Sequence, residues 1–232
     1  MFDNKLPISF YKEIATLSEA HKIYIVQHVD TKKIYLKKIL SVYNLAVYEQ
    51  IFKHPIKNVP RIYAMFEHEN LLTIIEEYIS GDTLQEILDL HVKLSENDVI
   101  SYAIKLCDIL SDLHSSVPAI IHRDIKPSNI ILTEDERIIL IDLNAAKLCI
   151  RNKARDTRLI GTEGFAAPEQ FGFGASSYQT DIYAVGNLIK SLLYPNVIST
   201  KLDNVISKCT KMDPKDRYQS AFQLKSALEK II

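Results

Sequence analysis

The segment "IIHRDIKPSNIIL", residues 120–132, sets His, Arg, Asp, Lys, Ser and Asn between two short runs of apolar residues. Short β-branched runs separated by a polar stretch predict a strand, a loop and a second strand. A loop that is anchored at both ends by buried backbone can hold functional side chains rigidly. This loop is therefore the first candidate for a catalytic site.

Two further features extend the candidate site beyond one loop residue. Asp124 and Asn129 lie five positions apart on the loop, and Asp142 ends a later apolar run, "IILTEDERIILID". A hairpin is predicted between them, with strands at 130–133 and 137–141. It would bring Asp142 back beside Asn129. This oxygen pair suits Mg²⁺, which takes few protein ligands and leaves positions for phosphate.

Asp124 then remains as a separate carboxylate, and Lys126 adds a positive charge at the same edge. Phosphoryl transfer depends on positioning and on stabilising charge. It therefore needs a carboxylate base, a neighbouring cation and an oxygen pair that binds a metal ion. The residues therefore predict metal-assisted phosphoryl transfer with Asp124 as the base.

Before residue 80 the chain reads mainly as strands. Residues 21–40 predict two strands around a turn at "HVDTKK", and residues 61–79 predict a hairpin that turns near "EHEN". A short helix is predicted between them at about 43–53. After "SGDTLQEIL" the pattern becomes helical: Ser95 can cap a helix over 95–114, whose apolar residues recur at helical spacing.

Residues 178–194 and 201–232 are also mainly helical. The prediction is an α+β protein with a small β-rich lobe at 1–79 and a larger helical lobe at 80–232. Its 232 residues are 47% hydrophobic and 25% charged, as in ordinary globular domains. A formal net charge of −1 gives no general attraction to nucleic acid, so no nucleic-acid partner is expected.

No apolar run approaches the ~18 residues that a membrane span needs, and the opening "MFDNKLPISFYKE" lacks a signal-peptide pattern. Three widely spaced cysteines, Cys107, Cys149 and Cys209, suit free thiols in a reducing compartment. We therefore expect a cytoplasmic protein without a membrane span.

The candidate loop also resembles a known motif. "HRDIKPSN" is similar to the catalytic loop of eukaryotic-type protein kinases, in the form typical of Ser/Thr kinases, and the spacing to Asp142 agrees. The resemblance continues in family order through three later segments, "GTEGFAAPEQ" (161–170), "TDIYAVG" (180–186) and "DPKDRY" (213–218). It covers about residues 10–230, which makes it specific.

The resemblance implies a role for each matching residue. Asp124 would orient the substrate hydroxyl and accept its proton, and Lys126 would contact the transferring phosphate. Asn129 and Asp142 would hold Mg²⁺. Glu169 of the Ala-Pro-Glu segment is expected to pair with Arg217 inside the helical lobe.

The nucleotide site is carried over from the strand "IYLKKI". Lys37 is assigned to the phosphates of ATP, with Glu49 of the following helix as its partner. Lys38 is the alternative if the strand register differs by one residue. Glu77 and Ile79, in the joining segment "EEYISGD", are assigned to nucleotide binding.

Several positions depart from the family pattern. The expected Gly-x-Gly-x-x-Gly loop is replaced by "IATLSEAHKIYIV", which has no glycine. Tyr35 stands where a small residue usually faces adenine, so its ring either turns away or narrows the pocket. Glu76 occupies the gatekeeper position, either as a solvated strand-end carboxylate or as a second lysine partner. "DLN" at 142–144 replaces Asp-Phe-Gly but keeps the aspartate.

The predicted function is that of an ATP- and Mg²⁺-dependent serine/threonine protein kinase acting on protein substrates. Two alternatives stay open: a pseudokinase that binds nucleotide or serves as a scaffold, and a small-molecule kinase of the aminoglycoside-phosphotransferase type. Thr157 is the preferred candidate for phosphorylation, whereas Thr162 is expected to shape the substrate loop. The sequence predicts neither the substrate nor the oligomeric state.

Overall fold

A computed structural model describes residues 8–149, 161–172, 174–193 and 198–232. The strands are β1 (Tyr11–Ser18), β2 (Ile23–His28), β3 (Ile34–Leu40), β4 (Ile62–His68), β5 (Leu71–Glu77), β6 (Asp82–Thr83), β7 (Ile120–Ile121), β8 (Ile130–Leu132), β9 (Ile138–Leu140) and β10 (Lys147–Leu148). The α-helices are α1 (Leu45–Lys53), α2 (Leu84–Asp89), α3 (Glu96–Ser115), α4 (Tyr178–Leu193), α5 (Thr200–Cys209) and α6 (Ala221–Leu228).

The N-terminal part is one antiparallel sheet with the strand order β1-β2-β3-β5-β4. Alternate side chains of a strand point to opposite faces, so each strand serves two environments. The outer face carries a small cluster of Val26, Ala64 and Ile75, against which Tyr24 and Tyr35 pack. The inner face carries Leu40, Leu72 and Ile74, which join the main core shared with the helices. The sheet therefore has two apolar faces rather than one.

Tyr35 belongs to the outer face. Its ring makes edge contacts with Tyr11 and Tyr63, at centroid distances of 5.2 and 4.9 Å. The ring thus turns away from the inner face, which was one of the two expected possibilities.

The main core is built around helix α3. The helix begins with a capping box, in which the Ser95 hydroxyl accepts from the Asp98 amide and the Asp98 carboxylate accepts from the Ser95 amide. Its buried residues follow helical spacing and contact helices α4 and α6. Helices α4 and α5 approach closely at Gly186, where an added Cβ would lie 2.6 Å from the Cβ of Cys209.

Short sheets position the loops between these helices. Strands β8 and β9 form the expected hairpin with Ile130 opposite Leu140, and β8 also pairs with β6. Strands β7 and β10 pair on the other side of the polar loop. The loop at 122–129 is thus held between two small sheets, as its flanking apolar runs predicted.

The α+β class is confirmed by this arrangement of an N-terminal sheet followed by helices. Strand β1 was not predicted as a separate strand, because its residues are mostly exposed and lack a clear alternation. The boundary between lobes at residues 79 and 80 stays a prediction. Among the described residues, no helix combines the length and the apolar character that crossing a membrane would require.

Candidate active site

The carboxylate of Asp124 is the centre of a hydrogen-bond cluster. Its Oδ1 accepts from the Thr162 hydroxyl at 2.6 Å, and its Oδ2 accepts from Lys126 Nζ at 2.8 Å and Asn129 Nδ2 at 3.0 Å. Burial would raise the pKa of Asp124, but hydrogen bonds from Lys126 and Thr162, together with the charge of Lys126, hold that pKa below its ordinary value. The group is therefore a charged acceptor at neutral pH.

The backbone that carries Asp124 is fixed from beneath by a buried carboxylate. Asp181, at the start of helix α4, accepts from the amides of His122 and Arg123 at 3.0 and 2.8 Å. Burial would raise the pKa of Asp181, but the hydrogen bond and charge of His114 lower it. His114 lies 2.8 Å from Asp181 and stacks on Tyr178, so it belongs to the packing beneath the loop.

The β8–β9 hairpin brings the chain around Asp142 back to Asn129. The amide of Ile141 donates to the carbonyl of Asn129 at 2.9 Å, which brings the following residue, Asp142, beside the loop. The side-chain nitrogen of Asn129 donates to both the carbonyl and the carboxylate of Asp124. This orientation turns the amide oxygen of Asn129 away from Asp124.

Asp142 itself has a left-handed backbone with φ of 65°, a conformation that Asp tolerates better than most residues. Its Oδ1 accepts from the amide of Asn144 at 3.0 Å. The turn therefore fixes the Asp142 carboxylate at the end of the hairpin through the amide of Asn144.

Strand β3 carries two adjacent lysines that point to opposite faces. Lys37 lies on the outer face, where its Nζ is 2.7 Å from Glu13 Oε1 and 5.8 Å from the ring centre of Tyr24. Lys38 lies on the inner face, and its Nζ is 2.6 Å from Glu76 Oε1. Lys38 and Glu76 are both buried.

The expected pair of Lys37 with Glu49 does not form in this structure. Helix α1 packs against the inner face through Val47, Tyr48 and Ile51, whereas Lys37 is on the outer face. The alternation of strand β3 thus puts Lys38, the alternative residue, on the side of Asp142. Burial would lower the pKa of Lys38, but the charges of Glu76 and Asp142 raise it above its ordinary value, so the amine stays charged.

Helix α1 reaches the site through an aromatic residue. The hydroxyl of buried Tyr48 donates to Asn144 Oδ1 at 2.7 Å, immediately after the turn of Asp142. Burial and the charges of Asp142 and Glu76 raise the pKa of Tyr48 well above its ordinary value, so the hydroxyl keeps its proton. The helix is therefore connected to the "DLN" turn.

The segment that joins the N-terminal sheet to the helical part has backbone groups with capacity for a ligand. The amide of Glu77 donates to the carbonyl of Arg61 at 2.8 Å, and the Glu77 carboxylate accepts from the amide of Arg61. Ile79 is partly buried, and within the described residues its backbone makes no backbone hydrogen bond. Its N–H and C=O thus have capacity for a ligand.

The turn that replaces the glycine-rich loop is tight. Strands β1 and β2 are joined through Glu19–Lys22, where the amide of Lys22 donates to the carbonyl of Glu19 at 3.1 Å. Lys22 adopts φ of 52°, which is the left-handed region that glycine usually occupies. A hairpin thus forms without glycine.

The late motifs meet in a buried ion pair, as predicted. Arg217 donates through Nη1 and Nη2 to the two carboxylate oxygens of Glu169, at 2.8 and 2.9 Å. The hydroxyl of Thr180 donates to the same carboxylate, and Arg217 also donates to three backbone carbonyls. Gln170 Nε2 donates to the carbonyl of Arg123 at 2.8 Å, which connects this segment to the loop at 122–129.

Sequence reasoning missed some of these contacts. The sequence pattern indicates neither the contact of Tyr48 with Asn144 nor that of Gln170 with the backbone of Arg123. Glu76 was marked only as a departure with a possible lysine partner. Thr157 lies outside the described residues, so its proposed phosphorylation has no structural account, whereas Thr162 contacts Asp124 and Lys126 directly.

Comparisons with known proteins find a matching family and several relatives. Residues 13–200 match the protein kinase domain family. The chain is 32% identical to serine/threonine-protein kinase D of Synechocystis over 81% of this chain and 41% of that protein. It is 31% identical to serine/threonine-protein kinase PknA of Nostoc, over 74% of this chain and 35% of that protein. Human serine/threonine-protein kinase PAK 4 is 27% identical over 76% of this chain and 29% of that protein. The chain thus spans less than half the length of these relatives.

Proposed function

This chain belongs to the protein kinase domain family and resembles its serine/threonine members, and from that premise we propose that it transfers the γ-phosphate of ATP to a Ser or Thr hydroxyl of a protein. The observation that carries the proposal is the Asp124 cluster. Its carboxylate is ionised, oriented by three donors, and flanked by the cation of Lys126. That is the arrangement a general base requires.

In the proposed reaction, the substrate hydroxyl approaches Asp124 and gives its proton to the carboxylate. The hydroxyl oxygen forms a bond to the γ-phosphorus as the bond from that phosphorus to the leaving oxygen of ADP breaks. Lys126, 2.8 Å from Asp124, neutralises charge on the transferring group. Thr162 bridges both residues and helps to orient them.

On the nucleotide side, we assign the phosphate-binding role to Lys38 in place of Lys37. Lys38 is a charged amine on the inner face that experiences the field of Asp142, whereas Lys37 is engaged by Glu13 outside. The free backbone groups of Ile79 are proposed to bind the adenine edge, with Glu77 holding that segment against Arg61. The glycine-free turn would cover the phosphates with fewer amide contacts.

The donor set at the hairpin end fits Mg²⁺. Asn129 presents an amide oxygen, since its nitrogen is committed to Asp124, and Asp142 presents a carboxylate that forms no ion pair among the described residues. Those residues contain no group of three or more His, Cys, Asp or Glu that could hold a metal alone. Such a pair is typical of Mg²⁺ that shares its coordination with nucleotide phosphates. When bound, the ion would neutralise phosphate charge.

The alternative is a pseudokinase, which the missing glycines would favour. The pseudokinase is disfavoured because the chain keeps every group that the proposed reaction needs. These groups are Asp124, Lys126, the oxygen pair of Asn129 and Asp142, and buried Lys38. The expected cytoplasmic location also stays a proposal; it rests on the cysteines, of which Cys107 and Cys209 are buried free thiols and Cys149 is exposed.

The proposal is tested by incubating the purified chain with γ-labelled ATP, Mg²⁺ and a general protein substrate such as casein. We expect label on Ser or Thr of the substrate or of the chain itself, and loss of label when Mg²⁺ is chelated. Binding of ATP without any transfer by the wild-type chain would support the pseudokinase instead.

A further inference from the structure

Lys38 is held by a carboxylate from the neighbouring strand. In the register of β3 and β5, Leu36 lies opposite Glu76 and Lys38 lies opposite Ile74. Lys38 and Glu76 are therefore diagonal neighbours on one face, a separation that long side chains can bridge. They do so at 2.6 Å, with side chains only 10% and 8% exposed.

Helix α1 supplies no carboxylate to this lysine. The helix has no acidic residue in its first turn, and its buried face consists of Val47, Tyr48 and Ile51. Among the described residues, Glu49 makes no ion pair, and the buried Tyr48 hydroxyl of this helix bonds to Asn144. Different elements thus contact Lys38 and the turn of Asp142. Glu76 of strand β5 contacts the lysine, and Tyr48 of helix α1 contacts the turn.

A buried ion pair of this kind is a poor device for stability. Removing two charges from water costs about as much as their attraction returns, and apolar residues of similar size usually serve as well. A charged lysine kept at the inner face beside Asp142 therefore calls for an explanation other than stability. Binding of nucleotide phosphates is such an explanation.

We propose that Glu76 is the positioning residue for Lys38, and that it directs the ammonium group toward the phosphates of ATP in place of a carboxylate from helix α1. The inference rests on the proposed function for the identity of the ligand. Because β3 and β5 are hydrogen-bonded neighbours in one sheet, the pair stays assembled wherever helix α1 lies. The position of the helix instead affects the Asp142 turn, through Tyr48.

The test compares ATP and adenosine affinity, by calorimetry, in wild type, Glu76→Gln, Glu76→Asp, Lys38→Met and the Lys38→Met/Glu76→Gln double variant. Displacement of a positioning group by about 1 Å can cost ~10²-fold. We therefore expect Glu76→Gln to weaken Mg²⁺-ATP binding and lower kcat/KM by about 10- to 100-fold. Adenosine, which has no phosphate, should bind with unchanged affinity.

Two results separate positioning from a merely structural role. In the Lys38→Met background, Glu76→Gln should have no further effect on ATP affinity, because both changes remove one interaction. Glu76→Asp keeps the negative charge but shortens the side chain, which moves the Lys38 ammonium group. ATP should therefore bind more weakly to Glu76→Asp than to wild type. The thermal stability of Glu76→Asp should fall less than that of Glu76→Gln. The matched control is Glu69→Gln at the exposed tip of the β4–β5 hairpin, which should change neither property.

The inference is overturned if ATP affinity survives in folded Glu76→Gln and Glu76→Asp, if adenosine affinity falls equally, or if Glu49→Gln causes the loss instead. Its failure is distinct from failure of the proposed function. A wild-type chain that binds ATP but transfers no phosphate would reject the kinase activity, while the affinities would still decide the role of Glu76. A chain that does not bind ATP would reject both.

Discussion

At the scale of single residues, the Asp124 carboxylate has both oxygens engaged, and each donor has a different effect. Lys126 supplies charge, Asn129 fixes direction through its nitrogen, and Thr162 shares its hydroxyl between Asp124 and Lys126. Because three donors fix the orientation, replacing the carboxylate by an amide of the same size would change the chemistry more than the structure.

Asp124→Asn should therefore lower the rate of phosphate transfer by ~10²–10⁴-fold, the usual effect of losing a general base. The affinity for Mg²⁺-ATP should stay almost unchanged, because Asp124 is assigned to the substrate hydroxyl. Asp142→Asn should instead weaken Mg²⁺-ATP binding, since it removes a proposed metal ligand. Steady-state rates and titrations with Mg²⁺-ATP measure both, and wild-type transfer by Asp124→Asn would contradict the assignment of the base.

The lowered pKa of Asp124 predicts a pH dependence. The carboxylate is ionised at every pH above its lowered pKa, so the rate should fall only on the acid side of the ordinary aspartate range. Lys126→Met removes a hydrogen bond and a positive charge that lower this pKa, so the acid limb of kcat/KM should move to higher pH. Parallel pH–rate profiles with the same substrate test this, and an unmoved acid limb would mean that Lys126 does not set the pKa of the base.

At the scale of elements, strand β3 determines which lysine faces the proposed nucleotide site. Alternation places Lys37 against Glu13 and Tyr24 on the outer face, and Lys38 against Glu76 on the inner face. Lys38→Met should therefore abolish tight Mg²⁺-ATP binding, whereas Lys37→Met should retain it. ATP at ~100 times its dissociation constant should add about 2.7 kcal/mol to the free energy of unfolding of a variant that binds it. A thermal-shift assay with saturating ATP therefore distinguishes the two variants. The opposite ranking of the two variants would restore the assignment to Lys37.

The sequence could not decide between these lysines for a physical reason. Both faces of the N-terminal sheet are partly apolar, so the residues of β3 alternate between a buried and a half-buried environment rather than between core and water. Periodicity therefore fits both registers. The capped helix α3 and the β8–β9 hairpin were predictable because their signals are local, whereas the Lys38–Glu76 and Tyr48–Asn144 contacts depend on how separate elements pack.

At the scale of the whole molecule, residues of the helical part fix the backbone of the loop that carries Asp124. Asp181 at the start of α4 holds the amides of His122 and Arg123, and Gln170 holds the carbonyl of Arg123. These contacts link segments 47 to 59 residues apart in the chain. The loop was recognisable from its own residues, but this support was not, because Gln170 carries no spacing signal of its own.

Another long-range link is the pair of Arg217 and Glu169, which are 2% and 5% exposed. Removing one partner of a buried pair leaves the other charge without compensation, and this typically costs about 3–5 kcal/mol. Arg217→Ala should therefore lower the melting temperature by roughly 6–20 °C in a chain of this size. The same change also leaves three backbone carbonyls without their donor.

The matched control is Arg137→Ala, which breaks an exposed contact with Asp135, two residues away, and should leave the melting temperature almost unchanged. Calorimetric melting of the three proteins without ligand measures the difference. Because Glu169 also adjoins Gln170 and thereby the catalytic loop, Arg217→Ala should lose transfer activity at temperatures well below its own melting point. Equal melting curves for both variants would mean that the pair of Arg217 and Glu169 contributes nothing measurable to stability.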